Sequence, residues 1–252
     1  MLHQVRHGAP TDRPPLLVAH GLFGSARNWG VIARRLSDGR EVVAVDMRNH
    51  GASPWSDDHS YAAMAGDLEE VIGDVPHDVL GHSMGGKAAM MLALTEPASV
   101  RRLIVADIAP VAYGHTQAHL IAAMRDVDLS DVTRRGEVGA QLASVPDDGT
   151  RDFLLQSCDL ANRRWSLNLD ALDAAMPGIL GFPDTDATWD GPALFLRGAR
   201  SGYVRPAHHD AIRARFPRAR VEEVADAGHW LHAEQPRETE AAIRAFLDAE
   251  AP

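Results

Sequence analysis

Cysteine is nearly missing: Cys158 stands alone among 252 residues, so no internal disulfide can form and the fold does not depend on an oxidising compartment. Cations are also in short supply, 25 Lys and Arg against 35 Asp and Glu, for a formal net charge of −10. Proteins that grip nucleic acid need clustered Lys and Arg to displace phosphate counterions, so this balance argues against such a partner. No run approaches the roughly 20 apolar residues that cross a bilayer. Met1–Pro15 has no apolar stretch of the signal-peptide kind. No stable membrane insertion is expected, and the cytoplasm is the default compartment. Gly/Ser tracts and internal repeats are missing, as are GxGxxG and P-loop motifs, so no nucleotide cofactor is implied. His229 with His232, and His208-His209-Asp210, have spacings found in metal sites, but neither makes a complete ligand set and no metal is expected. What is left is the composition of a globular enzyme, 45% hydrophobic and 24% charged.

Short apolar runs alternate with helical spacings through the first hundred residues. Leu16–Ala19, Glu41–Val45, His77–Leu80 and Val100–Ala106 read as buried parallel strands. Between them Ala26–Leu36, Ser60–Ile72 and Met84–Thr95 place apolar residues on one helical face. This rhythm predicts a parallel sheet with helices on both faces. From about Pro110 to Pro183 the strand signal disappears, and several short helices are expected. Alternation returns with Ala193–Arg197, a helix around Pro206–Phe216, Arg218–Val224 and a helix from Pro236 to Ala249. The expected organisation is a core of residues 1–109 and 184–252 with a helical lid over 110–183.

Gly81-His82-Ser83-Met84-Gly85-Gly86 lies where the strand from His77 meets a helix, which is the context a G-x-S-x-G nucleophile elbow requires. The serine must adopt a strained turn so that its hydroxyl stands clear, and the flanking glycines remove side chains that would collide. A glycine-rich turn with an ordinary exposed serine is the bland alternative. His20-Gly21-Leu22-Phe23-Gly24 follows the strand Leu16–Ala19, where a second oxyanion donor is expected. The N–H groups of Leu22 and Met84 are the candidate pair. The serine needs a general base. Of thirteen histidines, His229 sits in the loop after the last expected strand and satisfies the chain order Ser, acid, His. His232 is expected to face along a beginning helix, and His208 and His209 to be solvated.

Together the motifs His20-Gly21, Asp46 to Ser53 (DMRNHGAS), Gly81–Gly86 and Gly228-His229 resemble the α/β-hydrolase superfamily over nearly the whole chain. Asp107-Ile108-Ala109-Pro110-Val111 and Arg197-Gly198 with Ser201-Gly202-Tyr203-Val204 look like a narrower group, the small bacterial acyl esterases and the mitochondrial α/β-hydrolase-domain esterases. The resemblance implies an α/β fold with a mostly parallel central sheet and a helical lid after strand six. Most of the superfamily carries its acid in the loop after the strand corresponding to Ala193–Arg197, yet Gly198–Tyr203 holds no carboxylate. The narrower group carries it after the strand that here ends at Asp107. Adjacent strands lie only about 4.8 Å apart, so a carboxylate there can reach His229. The alternative has Asp107 capping a turn while Asp226 orients the imidazole. Asp46, Arg48 and His50 read as a structural turn beside the oxyanion loop.

Ser83, His229 and Asp107 in these roles imply acyl transfer to serine, then hydrolysis. Small acyl esters or thioesters of short to medium chain are the expected substrates. Met124, Phe153, Leu154, Trp165 and Phe182 are candidates for an apolar acyl pocket in the lid, with Phe23, Tyr203 and Trp230 added from the core. C–C bond hydrolases, cofactor-free haloperoxidases or perhydrolases, and a non-catalytic receptor on the same scaffold are the rival readings. Oligomeric state is not legible.

Overall fold

The computed structural model describes residues 1–249. In chain order its elements begin with strands β1 (Gln4–His7) and β2 (Leu16–Ala19), helix α1 (Gly30–Leu36), β3 (Val42–Val45), α2 (Tyr61–Ile72), β4 (His77–His82), α3 (Met84–Thr95) and β5 (Val100–Ala106). There follow α4 (Ala118–Arg125), α5 (Arg135–Gln141), α6 (Asp148–Leu155), the two-residue strands β6 (Cys158–Asp159) and β7 (Arg164–Trp165), α7 (Leu169–Ala174) and α8 (Met176–Leu180). The chain ends with β8 (Ala193–Gly198), α9 (His209–Arg215), β9 (Ala219–Val224), α10 (Leu231–Glu234) and α11 (Pro236–Asp248).

Seven strands form one sheet in the order β1-β3-β2-β4-β5-β8-β9, parallel throughout except for β1. β2 and β3 are buried at every position, as strands covered on both faces must be. Alternate residues divide between two cores. Leu17, Val43, Val79, Leu103 and Val105 meet α2 and α3, while Leu16, Val42, Leu80, Ile104 and Leu194 meet α1 and α11. α3 is buried from Met84 to Leu94, and its glycines and alanines let it lie close against β4 and β5. Ser60 caps α2 by accepting the Ala63 N–H at 3.2 Å.

Several expectations need correction. β1 was not foreseen: Gln-Val-Arg-His is half-exposed and pairs on one side only, so it needs no apolar signature. With β1 counted, the helical insertion follows the fifth strand of this chain, not the sixth. The expected helix over Ala26–Leu36 opens as a 3-10 turn, Ala26–Trp29, before α1. The insertion also holds the hairpin β6–β7, whose strands are too short to leave a periodicity.

Beneath the sheet's amino end, Arg40 donates to Asp78 at 2.6 Å, with both side chains almost fully buried. Breaking such a pair strands an unpaired charge in the core. Arg40→Ala is expected to lower unfolding free energy by about 3–5 kcal/mol, read as a shift in the urea midpoint; a change within 0.5 kcal/mol or so, the usual surface-mutation range, contradicts this account.

Candidate active site

Register brings the site together. β4 pairs with β5 so that His82 lies beside Ala106, and the next residues, Ser83 and Asp107, leave the sheet at the same level. Both turn sharply, with φ of 53° at Ser83 and 51° at Asp107, a left-handed conformation that costs a non-glycine residue strain. The Ser83 N–H is held by the Ala106 carbonyl at 3.0 Å, and the Asp107 N–H by that of Leu196 at 2.7 Å. Close approach explains the elbow's glycines. A Cβ on Gly81 would fall 2.2 Å from the Gly85 carbonyl oxygen, and one on Gly85 would fall 2.4 Å from that of His20.

His229 arrives from the loop between β9 and α10. Its Nε2 lies 3.1 Å from Ser83 Oγ and its Nδ1 2.8 Å from Asp107 Oδ2. Asp107 is wholly buried. Its other oxygen accepts the Gly198 N–H at 3.0 Å, and the Ser201 hydroxyl donates to Oδ2. Asp226 is exposed, and its backbone carbonyl accepts from Arg200, so the carboxylate against the imidazole is that of Asp107. Two further contacts fix the ring: Tyr203 stacks on it with centroids 4.0 Å apart, and His82 Nε2–H donates to the His229 carbonyl at 2.9 Å. In the sequence Ser201 reads only as part of a motif, with no site role, because nothing in a Gly-Ala-Arg-Ser-Gly loop distinguishes its serine from a turn residue.

The oxyanion-loop candidates sit on a scaffold of buried histidines. His50 Nε2 accepts the Phe23 N–H at 3.1 Å, and His20 Nε2 accepts the Met47 N–H at 2.9 Å. Asp46 accepts the N–H groups of Ala26 and Ala52, at 2.8 and 2.9 Å, and Arg48 pairs with Asp67 at 2.6 Å. This is the structural role expected of that turn. His59 faces the Met84 sulfur at 3.3 Å. Burial is the largest cause pushing each of these histidines down, His20 to about 4 and His50 and His59 to about 3. His232, expected to point along its helix, is instead buried and stacked on Trp29 at 4.5 Å, and burial takes it to about 3. His82 also lies well below its ordinary value, through burial first and then the neighbouring His229 and His232. His208, expected to be solvated, is buried and donates to the Tyr203 carbonyl at 2.9 Å, while His209 is half-buried.

Ser83 opens into a cavity of about 240 Å³ with mainly apolar walls. Leu22, Phe23, Met84, Phe153, Tyr203 and Trp230 from the expected set line it, and Phe153 lies 5.3 Å from Trp230. Met124, Leu154, Trp165 and Phe182 do not. Met124 and Leu154 are sealed in the core, Trp165 Nε1 donates to the Met124 carbonyl at 2.8 Å, and Phe182 packs against the core cluster. These side chains hold the insertion's helices together, which apolar spacing alone does not distinguish from lining a pocket. Tyr61, Lys87, Tyr113, Leu120, Ile179 and Leu180 were missed as walls. Among the described residues no group of three or more His, Cys, Asp or Glu is placed to hold a metal, and no helix is long and apolar enough to cross a membrane.

The α/β-hydrolase fold family model matches residues 14–236. Among characterised proteins, the sn-1-specific diacylglycerol lipase ABHD11 of Mus musculus is 42% identical over 248 residues, covering 93% of this chain and 81% of the mouse protein. Esterase YbfF of Escherichia coli K12 is 40% identical over 243 residues, covering 94% of each chain. Among solved structures, a marine microorganism esterase superposes with a TM-score of 0.91 at 37% identity, covering 97% of this chain and 98% of that one. The chain belongs to the α/β-hydrolase family. Its similarity to named esterases and a lipase over most of its length makes it an ester-hydrolysing enzyme.

The buried histidines set an acid limit. Each is neutral in the fold but takes up a proton near 6.5 once unfolded, so the unfolded chain binds more protons between about 6.5 and 4 and stability is lost as pH falls through that window. Each contributes up to about 1.4 kcal/mol per pH unit. Urea midpoints should therefore drop steeply from pH 6.5 to 4.5; a flat profile there contradicts the neutral-histidine scaffold.

Proposed function

We propose that the protein is a serine hydrolase that cleaves short- to medium-chain acyl esters or thioesters through an acyl-enzyme. The observation that carries this reading is the unbroken run of contacts from Ser83 Oγ through His229 to Asp107, at 3.1 and 2.8 Å, opening into the apolar cavity.

Ser83 Oγ attacks the acyl carbonyl carbon while its proton passes to His229 Nε2. The imidazolium that forms is stabilised and kept in orientation by Asp107, which already accepts from Gly198 N–H and Ser201 Oγ–H. The N–H groups of Leu22 and Met84 receive the negative charge that develops on the carbonyl oxygen. They cost no reorganisation at that moment, because His50 and Asp46 hold the loop. Collapse of the tetrahedral intermediate breaks the bond to the alkoxide or thiolate, which leaves with the proton from His229. Water, deprotonated by the same imidazole, then attacks the acyl-enzyme and releases the acid.

Cavity size supports the substrate class: about 240 Å³ lies below the roughly 300–1,000 Å³ of pockets for drug-sized ligands. Residues 110–183 act as the lid, with Tyr113, Leu120, Phe153, Ile179 and Leu180 among the side chains it adds to the wall, over a core of 1–109 and 184–252.

Ser83→Ala should lower kcat for p-nitrophenyl acetate or butyrate by about 10⁶ and abolish labelling by a fluorophosphonate. Retained turnover removes Ser83 as nucleophile, and failure of the unaltered protein to label favours the receptor reading. Asp107→Asn should cost about 10⁴ in kcat with little change in KM; full activity would return the orienting role to another acid.

A further inference from the structure

Lys87 is a charge in a place where charges are rarely left. It lies on α3 one turn after Ser83, only 1% exposed, and forms part of the cavity wall. Among the described residues no carboxylate pairs with it. Its Nζ donates instead to three successive carbonyls at the end of α8: Ile179 at 3.4 Å, Leu180 at 2.9 Å, and Gly181. The ammonium also lies over the Tyr113 ring at 4.9 Å and the Tyr61 ring at 5.8 Å. The three carbonyls are those a helix C-terminus leaves without intrahelical donors, and a cation suits that end of the helix dipole.

We propose that Lys87 is the positioning residue that sets the acyl capacity of the cavity, pinning the end of α8 against the helix that carries the nucleophile. Ile179 and Leu180 form the wall on that side, so the reach of one side chain fixes how far the wall stands from Ser83. This inference rests on the acyl-ester reading of the same cavity. The pin is not the only tie. Tyr61 Oη–H donates to the Ile179 carbonyl at 2.7 Å, and the Tyr113 N–H to that of Leu180 at 3.0 Å. Loss of the ammonium therefore loosens the wall without detaching the insertion.

Burial lowers Lys87 to about 7, which lends the pin a pH dependence. The titratable groups facing it are Tyr61 from α2, Tyr113 and His115 from the segment after β5, and His229 across the cavity. Burial raises both tyrosines, so neither supplies a countercharge near neutrality, and burial lowers His115, which disfavours a second cation there. Below about 7 the ammonium holds three carbonyls; above it the amine has lost the charge and one donor.

The decisive quantity is the ratio of kcat/KM for p-nitrophenyl octanoate to that for the acetate, because any pH effect common to both substrates cancels in it. Lys87→Met should raise the ratio at least about tenfold, the scale on which apolar pockets discriminate chain length. Between pH 6 and 8.5 the ratio should rise in the unaltered protein and stay flat in the variant. An unchanged ratio in the folded variant, or the same pH slope in both proteins, overturns the proposal. Amide hydrogen exchange at Ile179 and Gly181, whose N–H groups bond to the Ala175 and Pro177 carbonyls along α8 and its caps, gives a readout independent of turnover. It should quicken in the variant, and protection equal in both proteins also overturns the pin. If neither ester is hydrolysed while exchange quickens, the ester assignment fails and the pin stands. Should Lys87→Met not fold by circular dichroism, the pH series of ratio and exchange on the unaltered protein decides.

Discussion

A carboxylate with no solvent access must find its stabilisation inside the protein, and Asp107 finds three donors at once. The imidazole of His229, the amide of Gly198 and the hydroxyl of Ser201 reach it from two loops, after β9 and at the end of β8. Unpaired, such a charge would carry a desolvation penalty of several kcal/mol. Holding it therefore commits both loops to one arrangement. Gly198 is central to that commitment, since a Cβ there would fall 2.2 Å from the carbonyl oxygen of Gly228, and the two loops could not close on each other. The geometry around Ser83 is thus a consequence of satisfying one buried group.

A second constraint runs beneath the turn after β2. Phe23 adopts a φ of 63°, outside the comfortable range of an aromatic residue, and its amide is held by His50 while Ser157 from the insertion donates to its carbonyl at 2.8 Å. Neutral imidazole serves here because it accepts with one nitrogen and donates with the other. His20 and His50 both work this way, each bonding an amide N–H and a carbonyl. These imidazoles form a framework of directional hydrogen bonds, and deep burial keeps it from titrating near neutrality.

The insertion is joined to the core by polar anchors at both sides of the active site. Ser157 ties it to the Gly21–Gly24 turn, and Lys87 and Tyr61 tie the end of α8 to the face of the sheet that carries α2 and α3. Apolar contacts fill the space between, but these few directional bonds decide where the cavity wall stands. The cavity wall and the strained Ser83 turn thereby share a helix, with Ser83 at the amino end of α3 and Lys87 one turn along.

The alternation of apolar runs and helical spacings, the elbow at Gly81–Gly85 and the chain order of serine, acid and histidine were all readable in the linear chain, because each is a local pattern with a fixed period or spacing. Strand β1 was not, since an edge strand half in solvent needs no apolar code. Phe153 and Trp230 were legible as cavity walls, whereas Met124 and Trp165 were not separable from core packing, because an apolar side chain looks the same on either side of a helix. The sequence by itself determined the strained serine turn and the supply of candidate bases and acids, properties of neighbouring residues. Only the tertiary structure decided that Asp107 and not Asp226 meets His229, that Ser201 joins them, and that a lysine is buried against α8. Those outcomes depend on strand register and loop closure between segments some 90 to 120 residues apart, and no local pattern records such distances.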